Sequence, residues 1–203
     1  MNDEKEKQKS HKRKMEKLKA SVDASIAAAD IERGVSIFLT GNGKGKSSSA
    51  FGMVMRSLGY GYKVGVVQFI KGGQCSGEEL YIKERCPEVM LCQMGTGFTW
   101  DTQDRSGDIA AAQKTWGKAQ ELLQDDSFHL VVLDELTYML SFKYLDESMV
   151  MTALRERPAE QSVIVTGRGG GSALMEWADT VSELRDVKHA YNSGVKARLG
   201  VDF

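Results

Sequence analysis

Proline is nearly missing from this chain, with two among 203 residues, so its turns fall to the 21 glycines, which points to several tight ones. Cysteine is scarce too. Cys75, Cys86 and Cys92 are odd in number and lack C-x-x-C spacing, which argues against a disulfide or zinc framework and for reduced thiols in a cytosolic setting. His11, His129 and His189 stand far apart with no ligand pattern. The formal charge is only −1, so no global field favours nucleic acid or a membrane surface as partner. No apolar run approaches the ~18 residues needed to span a bilayer. The basic N-terminus has no apolar segment behind it, which argues against a secretory signal.

What remains is a chain of one globular domain's size with a distinct leader. Residues 1–20 hold seven Lys and one Arg against four acids and almost nothing apolar. Such a run reads as solvated. From Ser21 to Ile31, alanines with Val22, Ile26 and Ile31 are compatible with a docking helix. Residues 1–34 are therefore read as a basic tail and 35–203 as the folded domain.

From Val35 onward, apolar runs alternate with helical text. Residues 35–40, 63–70, 89–94, 129–134 and 162–167 read as buried strands. A helix over 46–58 is closed by Gly59, and Ile109, Ala112, Trp116, Ala119 and Leu123 make 107–124 an amphipathic helix. This alternation predicts an α/β fold, a mostly parallel sheet covered on both faces. Ligands of such sheets sit beyond the carboxyl ends of the strands, which is where the glycine-rich, polar punctuation falls.

The first of those ends, "TGNGKGKSSSAFG" (40–52), resembles a phosphate-binding loop that is one residue short. The usual G-x-x-x-x-G-K-[ST] would place its leading glycine at Thr40, and the glycine is Gly41. Gly41, Gly43 and Gly45 let backbone N–H groups turn inward beside a helix N-terminus. Lys46 adds charge, Ser47 a hydroxyl suited to Mg²⁺, and Lys44 a second cation. A plain glycine turn is the structural alternative, and G-K-S between an apolar strand and a helix disfavours it. "VVLDE" places Asp134 and Glu135 where a Mg²⁺ or its water shell needs acids; a helix N-cap pair is the alternative. Arg168 in "TGRGGG" is placed to meet phosphate or ribose, or is a surface arginine. Phe98 and Trp100 in "MGTGFTWDTQDR" read as a wall for a large flat ligand, with core packing as the alternative. No protein base beyond Glu135 stands out for a kinase or hydrolase.

Together, "GNGKGKSSSAFG", "KVGVVQFIKG", "MGTGFTWDTQ", "LDELTYM", "TGRG" and "ADTVSELRDVKHAYNSGVKARLGVDF" resemble the P-loop class of ATP:corrinoid adenosyltransferases, from about Val35 to Phe203. Departures are Ser47 and Ser48, where that family more often has threonine, the segment from Gly72 to Glu79, and the long basic tail. The resemblance implies a RecA-like P-loop fold, a three-layer sandwich, that binds ATP with its triphosphate reversed. The ribose 5′ carbon is then attacked by the cobalt(I) of a reduced corrinoid, which explains a reaction without a protein base. It assigns Gly41, Asn42, Gly43, Lys44, Gly45, Lys46, Ser47 and Ser48 to the triphosphate, and Arg168 to ATP. Ser47, Asp134 and Glu135 organise Mg²⁺ or Mn²⁺, and Phe98 and Trp100 face the corrinoid and favour loss of its lower axial ligand. Lys46, Glu135, Phe98 and Trp100 are the catalytic set. A homodimer, a flavoprotein electron donor, a cytoplasmic setting and an N-terminal helix folding over the corrinoid are also implied. Two rivals stay open: a P-loop kinase or NTPase acting on another small molecule, and a non-catalytic nucleotide or corrinoid sensor.

Overall fold

A computed structural model describes residues 2–70, 75–95 and 104–203, with backbone alone for residues 2 and 3. Phe98 and Trp100 lie outside the described residues. The chain divides into two compact units, Met1–Glu32 and Arg33–Phe203.

The first unit is dominated by helix α1 (Asn2–Ala27), longer than the 21–31 segment read from spacing. Its Lys, Glu, Gln and Ala residues favour helix intrinsically, so the charged run is helical even though every described side chain on it is exposed. Met15, Leu18, Val22 and Ile26 follow one another at steps of three and four, which gathers the helix's exposed apolar groups along one stripe.

The second unit is built on six strands: β1 (Ser36–Thr40), β2 (Val64–Gln68), β3 (Met90–Gln93), β4 (Leu130–Asp134), β5 (Ser162–Thr166) and β6 (Thr180–Glu183). Their order is β3-β2-β4-β5-β1-β6. All the pairings are parallel, where the sequence argued for a mostly parallel sheet. The connecting helices are α2 (Lys46–Gly59), α3 (Gly77–Arg85), α4 (Arg105–Gln124), α5 (Leu136–Ser141), α6 (Glu147–Glu156) and α7 (Gly171–Trp177). Strand β4 shows why its text is uniformly apolar. Val131 and Leu133 enter a core with Trp116, Leu136 and Leu154, whereas Leu130 and Val132 enter one with Phe51, Val54 and Ile82. Two covered faces make three layers. The expected α/β P-loop architecture is the observed one. Among the described residues no helix is long and apolar enough to cross a membrane.

Strand β6 was not legible in the sequence. It is an edge strand paired only to β1, with all four residues exposed, so it lacks an apolar run.

Candidate functional site

Strand β1 ends at Thr40, and the chain turns through the glycine loop into α2. Its three glycines are dictated by space or conformation, and Gly41 adopts φ 96° with the Leu184 carbonyl oxygen against the place where a Cβ would lie. A Cβ on Gly43 would lie 2.7 Å from the backbone of Arg185, and Gly45 adopts φ 116° as it caps α2. The Gly43 N–H donates to the Leu184 carbonyl at 2.7 Å, which ties the loop to the strand end of β6. The Lys46 ammonium folds back under the loop, donating to the carbonyls of Gly41 at 2.8 Å and Gly43 at 3.0 Å. Burial lowers its pKa from the ordinary value, opposed by the nearby Glu135 carboxylate.

Facing the loop, Asp134 ends β4. Its Oδ1 accepts from Ser47 Oγ at 2.9 Å and from Thr166 Oγ1 at 2.6 Å, and its Oδ2 from Gln68 Nε2 at 3.2 Å. Glu135 follows with φ 59°, a left-handed conformation that is strained for a non-glycine residue and concentrated at functional sites. Thr166 steadies it: the same hydroxyl that donates to Asp134 accepts the Glu135 N–H at 3.0 Å. Glu135 Oε2 is buried with no protein hydrogen-bond partner. Burial first, and the Asp134 charge second, push its carboxyl up to about 7. Beyond β5, Thr40 Oγ1 donates to the Gly169 carbonyl at 2.8 Å and Thr137 Oγ1 to that of Arg168 at 2.9 Å, leaving the Arg168 side chain exposed.

These elements enclose one cavity of about 1120 Å³. Asn42, Gly43, Lys44, Gly45, Lys46, Ser47, Ser48, Asp134, Glu135 and Arg168 line it, and Gly41 sits behind them with its carbonyl on Lys46. Sequence reasoning missed two kinds of neighbour. Gln68 and Thr166 are polar ends of strands, and nothing in a single strand's text shows which acid they reach. His189, Tyr191, Asn192 and Phe203 come from a carboxyl-terminal segment without periodicity, and Asp202 there pairs with Lys44 at 3.1 Å.

The Ser47 and Thr166 hydroxyls lie against Asp134, and no imidazole or thiolate joins the two acids among the described residues. Among the described residues no three His, Cys, Asp or Glu side chains converge as a metal cage. Ser47, Asp134 and the unpartnered Glu135 oxygen instead fit a hard cation that keeps several waters and completes its shell with substrate phosphate, as Mg²⁺ does.

Residues 32–203 match the family described as ATP:corrinoid adenosyltransferase BtuR/CobO/CobP. A corrinoid adenosyltransferase of Pseudomonas aeruginosa is 53% identical over 203 residues, covering 100% of both chains. One from Escherichia coli strain K12 is 50% identical over 193 residues, 95% of this chain and 97% of the relative. Corrinoid adenosyltransferase CobA of Salmonella typhimurium is 48% identical over 193 residues, with the same 95% and 97% coverage. With a glycine-rich loop facing paired acids across one cavity, and this identity along nearly the whole chain, the protein belongs to the ATP:corrinoid adenosyltransferase family and is a transferase acting on corrinoids.

Proposed function

We propose that the protein transfers the 5′-deoxyadenosyl group of ATP to the cobalt(I) of a reduced corrinoid such as cob(I)alamin, in adenosylcobalamin synthesis or salvage. The cobalt lone pair forms the Co–C bond at the 5′ carbon while the C5′–O bond breaks. The electron pair leaves with intact tripolyphosphate, and no proton has to move. The observation that carries this reading is the convergence of the short loop Gly41–Ser48, Arg168 and the acid pair Asp134–Glu135 on one cavity. That cavity is larger than the roughly 300–1,000 Å³ of ordinary small-molecule sites, which supports a place for two substrates.

In this reading the loop N–H groups and the N-terminus of α2 hold the triphosphate, Lys46 and Lys44 neutralise it, and Arg168 orients the nucleotide. Ser47, Asp134 and Glu135 would hold Mg²⁺ or Mn²⁺, which when bound offsets charge on the leaving triphosphate. Phe98 and Trp100 would face the corrinoid. A homodimer, a flavoprotein donor of the reducing electron, a cytoplasmic setting and a capping role for residues 1–34 belong to the same proposal.

Phosphorus NMR of protein, Mg-ATP and chemically reduced cobalamin tests it. Tripolyphosphate should appear in equal amount to adenosylcobalamin. ADP as the main product would promote the kinase reading, and ligand binding without turnover the sensor reading.

A second measurement separates the two aromatic residues from mere packing. An axial ligand on cobalt(II) donates electron density and makes reduction harder, and large apolar rings below the corrin would exclude it. Each ~59 mV gained changes a one-electron equilibrium tenfold. Phe98→Ala and Trp100→Ala should keep ATP affinity and lose activity that starts from cob(II)alamin with a biological donor, while keeping far more of it with chemically supplied cobalt(I). Equal loss in both assays would leave the rings as core residues.

A further inference from the structure

Three neighbouring strands end in polar residues that the register sets side by side. Gln68 is the Cα partner of both Gln93 on β3 and Asp134 on β4. Residues paired in this way across a parallel sheet project to the same face, so the three side chains form a row. The row is hydrogen-bonded throughout. Lys83 Nζ donates to Gln93 Oε1 at 3.1 Å, Gln93 Nε2 to Gln68 Oε1 at 2.7 Å, and Gln68 Nε2 to Asp134 Oδ2 at 3.2 Å. Lys83 is itself anchored on α3 by Glu79 Oε1 at 2.7 Å, a bond that raises its pKa and keeps it charged.

The two ends of this row dictate one polarity. A lysine ammonium has three donors and no acceptor, and an ionised aspartate only accepts. Lys83 therefore requires an oxygen from Gln93, which turns the Gln93 amide N–H₂ toward Gln68. Gln68 must then offer its oxygen to Gln93 and its own N–H₂ to Asp134. A reversed Gln93 would set its N–H₂ against the Lys83 ammonium and its oxygen against that of Gln68, and a reversed Gln68 would bring its oxygen against the Asp134 carboxylate. The other carboxylate oxygen is already held by Ser47 and Thr166, so the relay supplies the restraint on the second one.

We propose that Lys83, Gln93 and Gln68 form a polarity-setting relay that orients Asp134 for cation binding in the nucleotide site, with all three acting as positioning residues. This rests on the metal assignment made above and extends it to groups on α3 and β3. Outer partners of a metal-holding carboxylate typically contribute about 10–100-fold in metal affinity.

The test measures Mn²⁺ binding to the full-length protein with ATP by electron paramagnetic resonance, beside ATP affinity in the absence of metal. Lys83→Met, at a half-exposed position, and Gln93→Leu should weaken Mn²⁺ by about 10–100-fold and leave metal-free ATP binding and the thermal midpoint near wild type. Lys83→Arg, still a pure donor, should restore affinity. Gln93→Glu is the sharpest variant. It strengthens the contact with Lys83 yet cannot donate to Gln68, so a relay predicts loss of Mn²⁺ affinity where simple packing predicts none. Wild-type Mn²⁺ affinity in folded Gln93→Glu and Lys83→Met proteins overturns the relay alone. A wild-type protein that binds no Mn²⁺ overturns the metal assignment with it, and a product other than tripolyphosphate overturns the reaction while leaving the relay standing.

Discussion

Lys46→Ala should lower kcat by about 10²–10³-fold with chemically reduced cobalamin, the usual loss when one preorganised donor to developing charge is removed. Lys46 is the cation most enclosed by the loop, 6% exposed, with its ammonium between the carbonyls of Gly41 and Gly43. Burial depresses its pKa, so its charge is poorly hydrated and its attraction to the triphosphate is little screened. In the proposed reaction, negative charge on the leaving oxygen grows as the C5′–O bond breaks. The contact is then stronger in the transition state than in bound ATP, and its loss appears in kcat as well as KM. The loop itself should survive, because Gly43 keeps its bond to Leu184. Lys46→Arg should rescue little, since a planar guanidinium cannot replace a point charge in this space. Steady-state kinetics with ATP affinity by equilibrium dialysis decides the matter, and a fully active Lys46→Ala protein would mean the loop does not grip the triphosphate.

The contrast between Lys46 and Gln68 shows what the sequence could and could not reveal. Lys46 stands in a local pattern, between an apolar strand and a helix, and β1, β2, β4 and β5 were visible because both their faces are covered, while the edge strand β3 was visible from its apolar text alone. β2 and β4 are buried at every position. β6 carries one apolar residue on an edge and gave no such signal. Helix α1 was underestimated because charge density reads as solvation, although the residues that carry it are good helix formers. Gln68, Gln93 and Thr166 acquire meaning only through register, which sets each beside a strand distant in sequence. The acid pair was legible as a pair. Its asymmetry, with Asp134 accepting three hydrogen bonds and Glu135 left with a buried oxygen that has no protein partner, was not.

That asymmetry sets the second large effect. A carboxyl whose folded-state pKa lies near 7, above its ordinary 4.5, binds more protons folded than unfolded at intermediate pH. Stability contributed by this group therefore falls as pH rises from about 4.5, and the penalty is complete above about 7. At 1.36 kcal/mol per unit it reaches at most about 3 kcal/mol. Glu135→Gln keeps the shape and removes the ionisation. In the absence of nucleotide and metal it should raise the thermal midpoint at pH 8 by up to about 6–12 °C, at roughly 2–4 °C per kcal/mol for a chain of this size. The gain should nearly vanish by pH 4.5, the carboxyl's ordinary value. Under the proposed metal assignment Mg-ATP should reverse the order, because a bound cation stabilises the folded state in proportion to its affinity and the variant would lack one charged ligand. Calorimetry of both proteins at the two pH values, with and without Mg-ATP, reads all of this. A variant whose advantage is the same at pH 8 and pH 4.5 would show that burying the ionised carboxylate is not what holds this corner of the site under strain.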